Sequence, residues 1–424
     1  MSPHERAAAT DHTLGINGLG RIGKLTLWHH VARRHFGRIV VNVGREVGPS
    51  LDAVCAVIER DSTYGSMHRF LFGVSAEPCI HVADRERGLL EVAGVPVNVL
   101  QVARDPKEIG WREHGARVVV DATGVFNDPT LAEEHERGAL RGHLAAGAEV
   151  VLNSAAFKIK DKSRSVPDDA PTLIYGINHQ RFSPGRHRLL SAASCTTTAL
   201  AHMVQPLLAR LHVSNVMTAS MSTVHAATNT QSVLDTVPKA GAKDLRKSRS
   251  VLNSIILTST NAAAALERVI PEIRQVGFMA DSVRVPIPTL SLIILNVTFQ
   301  SQMRPDGSSS IDGALLNDAY ADAAAGAQKG ALVYSEQQNV PADVIGMRAA
   351  VVIEGAETHT RTSFVQIDLA QVPGVDPAAL VGLTSPTIEV PVTHAKIFGW
   401  YDNEYGSYTN LLGDLTVHVD RALD

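Results

Sequence analysis

The chain has 424 residues, 45% of them hydrophobic and 19% charged, with a formal net charge of −4. This is globular composition, long enough for two or three domains with a large core, and its mild acidity argues against nucleic acid or an anionic membrane as the partner. Three widely spaced cysteines, Cys55, Cys79 and Cys195, form neither a disulfide framework nor a metal-ligand set, so no metal is expected and a reducing, cytoplasmic compartment is.

The N-terminal "MSPHERAAATDHT" has no apolar h-region of a secretory leader, and residues 1–12 read as a disordered start. No run approaches the roughly 18 apolar residues of a membrane span. "TLGING" reads as a buried strand over 13–17, "KLTLWHHVARRH" as a helix and "GRIVVNV" as the next strand, which together make a βαβ unit. "RVVVDATGVF" is a further strand with a polar turn, "LAEEHERGALRGHLAAG" a helix stopped by glycine, and "AEVVLNS" another strand. This alternation predicts a parallel sheet covered on both faces. "KIKDKSRSVPDDAP" reads as a surface loop.

Past Cys195 the pattern becomes strand-rich. "NVMTASMSTVHAAT" alternates, "KAGAKDLRKSRS" is a basic loop, and "SVRVPIPTLSLIILNVTFQ" reads as one long strand. "TSFVQIDL" and "PTIEVPV" are later strands, and the chain closes with a strand and a helix. The expected fold is α/β: a Rossmann-type dinucleotide-binding domain (13–194), then an α+β catalytic domain with a mixed or antiparallel sheet (195–400), then a C-terminal segment (401–424).

Within "NGLGRIG", Gly18, Gly20 and Gly23 have the GxGxxG spacing after a strand and at the head of a helix. The first glycine permits the turn, the second admits a pyrophosphate and the third lets helix and strand pack. The anion would rest on the backbone N–H groups of Arg21 and Ile22. A ribose-binding carboxylate belongs at the end of the second strand. That strand ends "VNVGRE", where Glu46 could reach the ribose, or Gly44 could leave room for a 2′-phosphate held by Arg45. NAD and NADP both stay open, as does a plain surface Arg–Glu pair.

"SAASCTTTALA" puts Cys195 in the first turn of a helix. The positive helix end lowers a thiol's pKa there, and the turn's N–H groups can hold an oxyanion. The opposing reading is a small buried residue. His225, at the end of "SMSTVH", is the nearest good base along the chain, and cysteine with a spatially adjacent histidine is the activated-thiol pattern. Thr228, Thr230, Arg246, Arg249, Thr260 and Arg284 are candidate phosphate ligands. Arg284 stands out because an unpaired charge inside an apolar strand is costly.

"INGLGRIG", "RDSTYGS", "ARDP", "DATGVF", "GINH", "SAASCTTT", "STVHAAT", "SVRVP" and "WYDNEYG" follow one another along the chain. In this order they resemble the phosphorylating glyceraldehyde-3-phosphate dehydrogenases. The resemblance implies an oxidoreductase that uses NAD or NADP and inorganic phosphate to convert glyceraldehyde 3-phosphate to 1,3-bisphosphoglycerate, through a thiohemiacetal and thioester on Cys195. It implies His225 as base, Arg284 and Thr228 at the substrate phosphate, and Ser194, Thr196, Arg246 and Thr260 at inorganic phosphate. It implies Asn403 at the nicotinamide carboxamide, Gly20, Arg21 and Ile22 at the pyrophosphate, and Arg104 and Thr123 on the cofactor. It further implies a homotetramer, a last helix returning to the first domain, and a loop over about 227–252 that lines a neighbour's cofactor. Thr198, Asn261 and Ser407 stand where the family has asparagine, glycine and tyrosine, Gly44 and Arg45 where it has aspartate, and the segment before Trp400 is longer. These departures raise two alternatives: a related sugar-phosphate aldehyde such as erythrose 4-phosphate as substrate, or a cofactor-binding member with little turnover.

Overall fold

The computed structural model describes residues 10–101, 103–382 and 385–424. The chain forms two compact units, one comprising residues up to 198 with 345–350 and 402–424, the other 199–344 with 351–401.

The first unit is built on an eight-stranded sheet. β1 (Thr10–Asn17), glycine turn, α1 (Arg21–Arg33) and β2 (Phe36–Asn42) form the βαβ start. α2 (Leu51–Glu59), the two-residue strands β3 (Arg60–Asp61) and β4 (Gly65–Ser66), and α3 (Met67–Phe72) follow. Next come β5 (Ile80–Asp84), β6 (Leu89–Val92), β7 (Val95–Leu100), β8 (Ala116–Asp121), α4 (Gly142–Ala145), β9 (Val150–Asn153) and β10 (Leu189–Ser191). The sheet order is β10-β9-β8-β1-β2-β7-β6-β5, parallel from β10 to β7, with β6 and β5 as an antiparallel edge. The middles of the central strands are apolar because both faces are covered. Leu14, Ile16, Ile39, Val41, Val118 and Val120 belong to a core shared with Trp28 of α1 and Leu415 and Val419 of the C-terminal helix α9 (Asn410–Ala422).

Three expectations change here. Residues 10–12 belong to β1 and are not disordered. Thr10 Oγ1 donates to the His35 carbonyl at 2.9 Å, and His12 Nδ1 lies 2.9 Å from the Asp420 carboxylate. The helix expected over "LAEEHERGALRGHLAAG" shrinks to α4, because Gly138 takes the left-handed conformation (φ 74°) and interrupts it. The sheet is mixed rather than wholly parallel.

The second unit carries another eight-stranded sheet, ordered β12-β13-β11-β14-β18-β16-β15 with β17 paired to β18. α5 (Cys195–Leu211) leads into β11 (Val216–Ala226), β12 (Ile256–Thr258), α6 (Ala262–Val269), β13 (Gly277–Val285) and β14 (Ser291–Gln300). α7 (Gly313–Ala325), β15 (Leu332–Ser335), α8 (Pro341–Val344), β16 (Val351–Glu354), β17 (His359–Asp368) and β18 (Thr387–Tyr401) complete it. The stretch expected as one strand is two, β13 and β14, which flank β11, the first parallel to it and the second antiparallel. Pro286 and Pro288 supply no N–H to a ladder, and Leu290 has φ 68°, so the chain turns there. The long segment before Trp400 is a ribbon: β17 pairs with β18 from His359 opposite Lys396 to Asp368 opposite Thr387.

Candidate active site

Four parallel strands of the first unit end in polar residues that share one register row. Asn17 lies opposite both Asn42 and Asp121, and Asp121 opposite Asn153. All four are nearly inaccessible to solvent, so their polar atoms need partners. Asn17 Nδ2 donates to Asp121 Oδ2 at 2.8 Å, and Asn42 Nδ2 donates to Asn17 Oδ1 at 2.8 Å and to the Ala103 carbonyl at 2.9 Å. Trp111 Nε1 donates to His143 Nδ1 at 2.9 Å, which leaves the His143 Nε2–H to donate to Asp121 Oδ2 at 3.0 Å. Thr123 closes the row, its N–H and Oγ1 donating to Asp121 Oδ1 at 3.1 and 2.7 Å.

On this row sits a cleft of about 460 Å³, lined by Gly18, Gly44, Arg45, Arg104, Thr123 and Arg137 among others. The volume suits a small-molecule ligand. The glycine turn at its edge has the geometry a dinucleotide needs. Gly18 has φ 97°; a Cβ on Gly23 would lie 1.9 Å from the Gly18 carbonyl oxygen, whereas one on Gly20 would meet nothing within 4 Å. Gly23 thus serves close packing, and Gly20 leaves the approach to the α1 N-terminus open. Arg21 is ion-paired to Glu404 at 3.5 Å and bonded to Thr63, while Ile22 packs on the core. Glu46 is exposed on the loop after β2, outside the residues that line the cleft.

Cys195 opens α5 in the first unit. Ser194 caps that helix: its Oγ accepts from the Thr197 N–H at 3.2 Å and lies 2.9 Å from Thr197 Oγ1, while its carbonyl accepts from the Thr198 N–H at 2.8 Å. Ala193 takes φ 59°, and Tyr408 Oη donates to its carbonyl at 3.3 Å. Burial raises the Tyr408 phenol's pKa, reinforced by nearby Cys195, so the hydroxyl stays a donor. Asn403 Nδ2 donates to Cys195 Sγ at 3.8 Å. Thr196 and Thr198 are buried, and Thr198 borders a small gap with Tyr175, Tyr408 and Leu412.

The segment around Asn403 is held on both sides. Tyr64 Oη donates to Asp402 Oδ1 at 2.5 Å, Asp402 Oδ1 accepts from the Glu404 N–H at 3.0 Å, and Asp402 Oδ2 accepts from the Gly346 N–H at 2.8 Å. Residues Tyr405–Thr409 form a π-turn, whose wider winding absorbs one extra residue. Ser407 and Tyr408 are both buried, with Ser407 Oγ donating to the Ala350 carbonyl at 2.8 Å.

In the second unit the β11–β13 register sets His225 beside Arg284. His225 Nδ1 faces both the Ala226 carbonyl oxygen, at 2.8 Å, and an Arg284 guanidinium N–H. Arg284 contacts the same ring and donates to the same carbonyl at 3.2 Å. Burial, then the Arg284 charge, hold His225 at a pKa of about 4, so it is a neutral imidazole at neutral pH. Thr228 follows two residues after β11, its Oγ1 2.9 Å from Thr230 Oγ1. Arg246 is exposed and paired to Asp244 at 2.8 Å, and Arg249 is paired to Asp235 at 2.9 Å. Thr260 Oγ1 accepts from the Ala262 N–H at 3.2 Å at the start of α6, directly after which comes Asn261.

Sequence reasoning passed over the anchors Tyr64, Asp402 and Tyr408 and the strand-end row of Asn17, Asn42, Asp121 and His143. The row had a signal: "GIN", "VVN", "VVVD" and "VVLN" each end an apolar run with an amide or acid.

The first unit thus has the architecture of a nicotinamide-dinucleotide-dependent dehydrogenase. A family model for the glyceraldehyde 3-phosphate dehydrogenase NAD binding domain matches residues 12–129, and one for the C-terminal domain of the same enzymes matches 194–370. Glyceraldehyde-3-phosphate dehydrogenase 1 of Streptomyces avermitilis is 32% identical over 410 residues, spanning 97% of this chain and 99% of the relative. The glyceraldehyde-3-phosphate dehydrogenase of Streptomyces coelicolor is 31% identical over 411 residues. The cytosolic one of Chlamydomonas reinhardtii is 29% identical over 406 residues. The chain belongs to the glyceraldehyde-3-phosphate dehydrogenase family of oxidoreductases and uses NAD(P).

Proposed function

We propose that this chain catalyses the phosphorylating oxidation of glyceraldehyde 3-phosphate to 1,3-bisphosphoglycerate, with Cys195 as nucleophile and His225 as base. The observation that carries the reading is the setting of Cys195. Its sulfur lies at a Ser194-capped helix N-terminus, touched by the Asn403 amide, in the unit that holds the glycine turn and cleft. The helix end and the amide N–H both favour negative charge on Sγ. Attack of that thiolate on the aldehyde carbon, with a proton taken up by the oxygen, forms a thiohemiacetal; loss of two electrons with the C–H proton, and of the hydroxyl proton to His225, leaves a thioester. A bound nicotinamide would supply the acceptor for those electrons. Phosphate then displaces Cys195 and regenerates the thiolate. His225, neutral and so carrying one unprotonated ring nitrogen, is suited to accept protons, and Arg284 opposite it with Thr228 nearby in the chain to hold the substrate's phosphate. Ser194, Thr196, Arg246 and Thr260 are assigned to inorganic phosphate, and Gly20, Arg21, Ile22, Thr123 and Asn403 to the cofactor.

Initial rates with glyceraldehyde 3-phosphate, phosphate and either cofactor test this. Reduced cofactor should form, and a Cys195→Ser control should form none; equal rates in the two proteins would sink the proposal. Asn261, at the N-terminus of α6 beside Thr260, favours keeping erythrose 4-phosphate as the competing substrate, and the ratio of kcat/KM for the two aldehydes decides between them.

We further propose a cytoplasmic homotetramer. None of the three cysteines is in a disulfide, which suits a reducing compartment. Among the described residues no helix is long and apolar enough to cross a membrane. Val233, Leu234, Val237, Leu252 and Ile255 are all more than half exposed, and a cluster of such residues in one segment is what a partner subunit covers.

A further inference from the structure

NAD-specific sites of this architecture place a carboxylate at the end of the second strand, where it accepts from the ribose 2′-hydroxyl. Here that place is built otherwise. β2 ends at Asn42, whose amide is turned inward: Nδ2 serves Asn17 and the Ala103 carbonyl, and Oδ1 accepts from the Gly44 N–H at 3.3 Å. Gly44 follows with φ 68°, and a Cβ there would lie 3.0 Å from the Ala103 oxygen, so the position favours glycine and presents no side chain to a ribose.

Two guanidinium groups flank the bare position. Arg45 lines the cleft and is exposed, and among the described residues it makes no ion pair, not even with Glu46. Arg104 also lines the cleft. Its Nε donates to the Gly44 carbonyl at 3.3 Å, which tethers the side chain to the same turn, and it too makes no ion pair among the described residues. Among the described residues two acids line the wall: Asp105, engaged with the Lys107 N–H at 3.3 Å and the Lys107 ammonium at 3.4 Å, and Glu136, 3.8 Å from Arg137 Nε. Neither acid is ion-paired to Arg45 or Arg104, so the two guanidinium groups keep their charge-assisted donors for a phosphate dianion. A free 2′-hydroxyl would find no carboxylate at the strand-end position that Gly44 occupies.

We propose that this cleft selects a dinucleotide carrying a 2′-phosphate, NADP⁺ over NAD⁺, and that Arg45 and Arg104 hold that phosphate. The proposal rests on the dehydrogenase reading and deepens it by naming the cofactor. Isothermal titration of the purified protein with NADP⁺, NAD⁺, adenosine 2′,5′-bisphosphate and AMP tests it without any turnover. NADP⁺ should bind at least tenfold more tightly than NAD⁺, and the bisphosphate should exceed AMP by a similar factor. Both margins should narrow as salt is raised. Arg45→Ala and Arg104→Ala should each cut the NADP⁺/NAD⁺ affinity ratio about tenfold, and Arg45→Lys should restore part of it. NAD⁺ binding as tightly as NADP⁺ overturns the proposal and leaves the dehydrogenase reading intact. So does an equal weakening of both dinucleotides in the arginine variants, which would mean that the side chains stack on adenine. Failure of both dinucleotides to bind overturns the dehydrogenase reading and this inference together.

Discussion

At the scale of single residues, the surroundings of a side chain set what it can do. His225 is a sharp case. Burial and the Arg284 charge lower its pKa to about 4 from the ordinary 6.5. The acid limb of the kcat/KM profile should therefore fall near pH 4, and the His225 ring resonances should titrate there by NMR. Arg284→Gln should move that titration upward. The same shift enters stability. Between pH 6.5 and about 4 the unfolded chain binds a proton that the folded ring refuses, so stability falls as the pH drops through that window, by on the order of 3 kcal/mol. Denaturant titrations of wild type and His225→Asn at pH 7 and pH 4.5 should show the difference between the two proteins shrinking at the lower pH. Tyr408 is a positioning residue. Tyr408→Phe removes the donor to the Ala193 carbonyl, so it should cost about 1 kcal/mol and lower kcat more than it raises KM.

At the scale of elements, helix ends and strand ends do the placing. Ser194→Ala removes the cap of α5 and should cost about 1 kcal/mol of stability. It should also slow alkylation of Cys195 by iodoacetamide, because the cap orders the turn that presents the sulfur. The other end of the first unit is tied by Asp420 of α9, whose carboxylate lies 2.9 Å from His12 Nδ1, 2.8 Å from His35 Nε2 and 3.0 Å from Arg117 Nε. Burial alone would raise its pKa, but the bonds to His35, His12 and Arg117 outweigh burial and bring it down to about 2. Its contribution is thus complete above pH 3.8 and is lost as the pH falls toward 2. Asp420→Asn should lower the denaturation midpoint at pH 7 and remove that acid-dependent part of the curve. Gly23→Ala puts a methyl group into the Gly18 carbonyl, so it should abolish dinucleotide binding in titration and destabilise by about 2 kcal/mol.

For the whole molecule, the apolar segment around Val233 to Ile255 is the feature that a single chain leaves unexplained. Sedimentation should show an assembly of four chains, and Ile255→Lys with Leu234→Lys should shift it toward smaller species. A monomer at micromolar concentration in the unsubstituted protein would contradict the proposed tetramer.

What the sequence determined by itself was what local chemistry and spacing can encode. The glycine turn was legible because its three glycines have separate steric duties at set offsets. Cys195 as the first residue of a helix was legible because small polar residues precede a helical apolar pattern. Both sheets were foreseen from the alternation of elements. Only the tertiary structure decided matters that depend on which residues meet. Register made one polar row of four strand ends that are far apart in the chain, and it placed Arg284 against His225 across a strand pair. Two prolines and a left-handed Leu290 split one apolar run into strands on opposite sides of β11. A π-turn over Tyr405–Thr409 buries Ser407 and Tyr408 together, which spacing alone does not predict. Gly44 showed the same limit: its lack of a side chain could be read from the sequence, but the inward turn of Asn42 and the tethering of Arg104 required partners that only folding brings within hydrogen-bonding distance.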